Sequence, residues 1–61
     1  MKHITFTVID RALYEYGMTL KGEVVEQWIN AYRVRLDDDC KIHGTVLVMK
    51  ECIKVLEITE K

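Results

Sequence analysis

The sequence predicts a mainly β protein, a small barrel of four to five strands with at most one short helix. Three observations lead there. β-Branched residues are abundant, with seven Val, six Ile and five Thr, whereas alanine occurs only at Ala12 and Ala31. Branched side chains fit a pleated surface better than a helix. Apolar and polar residues alternate over 3–9, 32–36 and 41–49, which is the period of a half-buried strand. The chain has 61 residues and no linker, repeat or proline, so residues 1–61 read as a single domain, too small for a deep catalytic cleft.

The first element is the plainest. From His3 to Asp10, Ile4, Phe6 and Val8 fall on one face and Thr5 and Thr7 on the other, a half-buried strand. Gly17 marks a break after Arg11–Tyr16.

The segment Leu20–Leu36 supports two readings. As a helix, Leu20, Val24, Val25, Trp28, Ile29, Ala31 and Tyr32 share one half of the wheel, with Glu23, Glu26, Gln27 and Asn30 opposite and Thr19 as a cap. A helix at 20–31 would make the protein α+β. As strands, Lys21–Trp28 runs to a turn at Ile29–Ala31, and Tyr32, Val34 and Leu36 are buried against exposed Arg33 and Arg35. Trp28 and Tyr32 are assigned to the core on either reading, because so small a domain needs large apolar side chains.

Asp37–Asp39 reads as a solvated turn, since the ligand alternation of a calcium loop is missing. Lys41–Met49 and Cys52–Thr59 read as strands forming a hairpin about Lys50–Glu51, with a wide loop or helical turn near Val48–Glu51. Gly44 falls within the first of them, where glycine marks a bend or bulge.

Two resemblances refine the architecture. Gly22, Val24-Val25-Glu26, Asn30, Arg33-Val34-Arg35-Leu36, Met49-Lys50-Glu51 and Ile53-Lys54-Val55-Leu56 resemble the order of residues in bacterial translation initiation factor one, over Gly22–Leu56. That resemblance implies an oligonucleotide-binding barrel and a partner in RNA or the ribosome. Asp39 stands where that family has glycine, and the strand at 3–9 precedes the match instead of following it. Leu36, Asp39, Ile42 and Gly44-Thr45-Val46 resemble a stretch of Sm-like proteins, bacterial Hfq among them, a family in which a helix precedes the first strand. A leading strand followed by helices would also resemble, in outline, a ribbon-helix-helix DNA-binding dimer.

The function classes narrow by exclusion. No phosphate-cradling glycine loop, G-x-S-x-G or H-E-x-x-H run is present, and the chain has no serine. The expectation is a protein without catalytic activity. No cofactor motif is present. His3, Cys40, His43 and Cys52 lack a metal-site spacing, and Cys40 and Cys52 are expected as two unpaired thiols. No run approaches the ~20 apolar residues of a membrane span, and the start is too rich in threonine for a signal peptide. The expectation is a cytoplasmic protein with no membrane partner.

A formal net charge of −1 is unlike a free-standing nucleic-acid binder, which is usually basic, so such a role needs a local patch. The candidates are Arg33, Arg35, Lys21 and Lys54 for charge and Tyr14 and Tyr16 for rings on which bases stack. The first expectation is thus a non-catalytic binding module for RNA or a ribonucleoprotein. The alternative is a small protein-interaction, regulatory or inhibitor protein that self-associates as a homo-oligomer or docks on a larger protein partner.

Overall fold

The computed structural model describes residues 1–60. They form five antiparallel strands, β1 (Lys2–Val8), β2 (Thr19–Gln27), β3 (Ala31–Leu36), β4 (Thr45–Met49) and β5 (Ile53–Glu60). The only helical element among them is a single 3₁₀ turn, Lys50–Cys52. The mainly β architecture expected from the sequence is therefore present. The alternative helix at 20–31 is absent, and with it the helices of a ribbon-helix-helix protein and the leading helix that the Sm-like resemblance implied.

The strands lie in one sheet in the order β4-β3-β2-β1-β5. β4 and β5 are consecutive in sequence yet occupy opposite edges, joined by three residues of 3₁₀ turn. A flat five-stranded sheet spans about 19 Å between its outer strands at ~4.8 Å per neighbour. Three residues cover that gap only because the sheet coils until its edges approach. The barrel stays open, because β4 and β5 do not pair. The hairpin expected about Lys50–Glu51 is thus corrected: β5 crosses over to pair with β1. The helical turn expected near Val48–Glu51 is present at Lys50–Cys52.

Three features coil the sheet. Gly22 lies opposite Leu36, where a Cβ would overlap the Arg35 carbonyl oxygen and stand 2.8 and 2.9 Å from Arg35 C and Leu36 Cα. The register of β2 on β3 slips between Val24 and Glu26, making Val25 an extra residue. The register of β5 on β1 slips where Phe6 faces Val55 and Thr5 faces Glu57, making Leu56 another. Each bulge sharpens the local twist.

The concave face holds the core. Ile4, Phe6 and Val34 are fully buried, joined by Val8, Leu20, Tyr32, Leu36 and Ile53. Ile42, Val46 and Val48 pack against them half-buried. Lys50 lies over the Tyr32 ring at 4.7 Å. Trp28 departs from expectation: it is 41% exposed. It follows the bulge at Val25 and closes the β2–β3 turn by donating its backbone N–H to the Ala31 carbonyl at 2.9 Å. Its ring lies on the convex face against the Arg33 guanidinium, 5.6 Å from the ring centroid. Gly44 likewise lies just before β4, not within a strand, at φ +99°. There it turns the 37–44 loop so that its carbonyl accepts the Leu36 N–H at 2.9 Å.

Candidate interaction surfaces

Strand alternation sends Arg33 and Arg35 to the convex face, as expected, and the register decides what meets them there. Glu23 faces Arg35 and Glu26 faces Arg33 across β2–β3. Glu23 Oε1 accepts a hydrogen bond from Arg35 Nη2 at 2.9 Å, and Glu26 Oε1 lies 3.3 Å from Arg33 Nη1. Lys21, one bend away on β2, pairs with Asp39 at 3.0 Å. That contact raises the Lys21 pKa and lowers that of Asp39. These pairs are exposed, where solvent screening leaves an ion pair little effect on stability. Their consequence is electrostatic: three of the four candidate cations are matched one to one by carboxylates.

Lys54 shares the convex face at the far side, opposite Thr7 on β1. It has no ion-pair partner among the described residues. The tyrosines stand elsewhere, in the 9–18 loop. Tyr16 is stacked by Arg11, at 5.7 Å, and borders a wide depression of about 670 Å³ with Lys21, Lys41 and Asp39. Tyr14 projects from the loop, 88% exposed. The structure thus gathers Arg33 with Arg35, and Tyr16 with Lys21, but does not unite the six candidates into one basic and aromatic patch.

A different surface emerges at the open seam. Between β4 and the start of β5 runs an apolar groove of about 260 Å³, lined on its floor by Val8, Leu20 and Ile53 and at its rim by Leu13, Ile42 and Val48. Cofactor-sized ligands occupy roughly 300–1,000 Å³, so this groove suits one or two apolar side chains. Beside it, β4 has a neighbour on one side only. The Leu36 N–H bonds to the Gly44 carbonyl, and bonded residues alternate along an antiparallel pair. Val46 and Val48 therefore turn their backbone groups to β3, while Thr45, Leu47 and Met49 turn theirs outward. Leu47 is 59% exposed and lies opposite Arg33, so Leu47, Arg33 and Trp28 form a row on the convex face. Ile29, at the adjoining turn, is 94% exposed. Local sequence patterns do not reveal this groove, because it exists only where the two edges of the coiled sheet meet.

The cysteines are both free, as expected. Cys40 Sγ donates to the Lys21 carbonyl and Cys52 Sγ to Asp10 Oδ2, each at 3.3 Å. Asp10 also accepts the Ala12 N–H at 2.9 Å, and these two bonds, that from Ala12 first, lower its pKa. The bond to Asp10, followed by burial and the charges of Asp10 and Glu51, raises the Cys52 pKa above its ordinary value. Only the thiolate is nucleophilic, so Cys52 should alkylate more slowly at pH 8 than an unperturbed thiol. Asp10→Asn should speed it while preserving the turn. Mass-resolved iodoacetamide kinetics at the Cys52 peptide measure this, and an unchanged rate would exclude control by Asp10.

His3 pairs with Asp37, Nε2 to Oδ2, at 2.8 Å. Among the described residues no three His, Cys, Asp or Glu side chains are grouped to hold a metal, and no helix is long and apolar enough to cross a membrane. In comparisons with protein-family models, curated proteins and solved structures, the chain matches none.

Proposed function

We propose that this protein is a non-catalytic protein-interaction module that accepts an extended segment of a partner along the open edge of β4. The carrying observation is the juxtaposition of an unpaired strand edge, the apolar groove on one side of it and the Leu47–Arg33–Trp28 row on the other. A strand added to β4 would bond to the outward backbone groups of Thr45, Leu47 and Met49. Its alternate side chains would enter the groove, and the rest would lie beside Leu47. Main-chain bonds provide affinity in this mode and pockets for alternate side chains provide selectivity. Tryptophan and arginine are also the residues that most often dominate binding energy at protein interfaces.

This reading ranks above RNA binding because three of the four candidate cations, Lys21, Arg33 and Arg35, are already paired, which leaves Lys54 as a lone charge. At those three a phosphate would have to displace Asp39, Glu26 or Glu23, and a base stacking on Trp28 would compete with Arg33. Leu47→Asp places a charge at an exposed edge position and should keep the fold, since exposed substitutions usually change stability by about 0.5 kcal/mol or less. It should abolish capture of those partners that wild-type protein retains from nuclease-treated lysate, and Arg35→Ala should retain them. Titration of single-stranded RNA decides the competing reading. Tight binding at low salt, with a salt slope that Arg33→Ala plus Arg35→Ala reduces by about one unit per lost phosphate contact, would overturn the proposal.

A further inference from the structure

The opposite edge of the sheet carries a second signal. β5 is eight residues long and is paired on one side only, with β1. It exposes Leu56 by 54% and Ile58 by 50%. A long apolar edge invites pairing with another chain, and proteins that keep such an edge usually blunt it or use it. The order along β5 is Ile53-Lys54-Val55-Leu56-Glu57-Ile58. Read antiparallel against itself about the Val55–Leu56 bond, Ile53 meets Ile58, Lys54 meets Glu57 and Val55 meets Leu56. A slip of one residue either way sets Lys54 against Leu56 or Ile58 instead.

In a regular strand this register is forbidden. Residues opposite each other must share a face and a bonding direction, and Ile53 and Ile58, five apart, would differ in both. The bulge at Leu56 removes the conflict for Ile53 with Ile58 and for Lys54 with Glu57. Ile53 lies opposite Val8 and Ile58 opposite Ile4, so both belong to the core face. Lys54 lies opposite Thr7 and Glu57 opposite Thr5, so both belong to the convex face. The Ile9 N–H bonds to the Cys52 carbonyl at 2.9 Å. By alternation Lys54 and Glu57 turn their backbone groups toward β1, and Ile53 and Ile58 turn theirs outward.

We propose that two copies of this chain pair antiparallel along β5, with Ile53 opposite Ile58, Lys54 opposite Glu57 and Val55 opposite Leu56, joining their sheets across a two-fold axis. The axis makes the contact self-complementary, as closed dimers require. Each Lys54–Glu57 pair occurs twice and sits at a non-bonded position, where facing side chains approach most closely. The 3₁₀ turn at Lys50–Cys52 ends the overlap by leading the chain out of the strand. β4 stays open in the dimer, so the two copies together would present two docking edges.

The test is a charge swap read by sedimentation equilibrium at moderate salt. Wild-type protein should be a dimer. Lys54→Glu and Glu57→Lys should each raise the dimer dissociation constant by roughly tenfold or more, because two facing pairs become like-charged. The double variant should restore it. Both positions lie outside the core, so circular dichroism should be unchanged in all three. Amide exchange should slow at Ile53 and Ile58 as concentration rises, with β4 unaffected. A monomer at millimolar concentration, a swap that fails to rescue, or protection along β4 in a larger ring would each overturn the proposal.

Discussion

Gly22→Ala should lower the melting temperature by roughly 15 °C, the shift that a loss of about 3 kcal/mol produces in a domain this small. The glycine has an ordinary backbone conformation, so conformational freedom is not the reason. The reason is proximity. An added methyl group would overlap the Arg35 carbonyl oxygen, and backbone rather than a flexible side-chain tip stands in its way. Relief requires β2 and β3 to separate where Gly22 faces Leu36. Overpacking of this kind costs ~1–3 kcal/mol, sometimes more, and a 61-residue domain has only ~3–9 kcal/mol in total. Gly44→Ala is the informative contrast. Nothing lies within 4 Å of a Cβ there, but φ is +99°, so its cost is torsional, about 1–2 kcal/mol. If Gly22→Ala melted as the wild type does, β2 and β3 would not approach so closely, and the coiling that creates the β4 groove would need another cause.

The same bend bears on what could be read in the sequence. β1 and β3 were legible because each is regular: Ile4, Phe6 and Val8, then Tyr32, Val34 and Leu36, alternate without interruption and are buried as the alternation says. β2 was ambiguous for a physical reason. The extra residue Val25 breaks the two-residue period, so that 24, 25, 28, 29, 31 and 32 mimic the face of a helix. Leu56 has the same effect in β5, where it places two apolar residues side by side.

The candidate site was less legible, because its character is set by long-range register. Alternation correctly grouped Arg33 with Arg35. It did not show that the Val25 bulge sets Glu26 against Arg33 while leaving Glu23 against Arg35. Without the register shift, Arg33 would face Val25, and the strand would present an unpaired cation beside an apolar neighbour. The bulge is thus what matches Arg33 with a carboxylate. In the same way, reading Lys41–Met49 and Cys52–Thr59 as a hairpin would have paired the two edges that the fold leaves open.

Phe6→Ala should be the most damaging side-chain truncation, at about 3–5 kcal/mol for a large buried aromatic, enough to leave little folded protein at 25 °C. Phe6 is fully buried on β1, which has strands on both sides, opposite Leu20 on β2 and Val55 on β5. Its ring therefore joins the two halves of the coiled sheet. Phe6→Leu keeps most of the volume and should cost no more than ~1.5 kcal/mol. Trp28→Ala removes a larger side chain and should cost only about 1 kcal/mol, the scale of an exposed cation–π contact, because Trp28 rests on the convex face under Arg33. Urea unfolding of the three variants, with slopes that match the wild type where folding persists, gives this ranking directly. If Trp28→Ala proved as costly as Phe6→Ala, the indole would belong to the core, and the Leu47–Arg33–Trp28 row could not serve as a docking surface. If it is cheap while Phe6→Ala is ruinous, the largest aromatic of the chain is held at the surface at little benefit to folding, as a residue kept for binding would be.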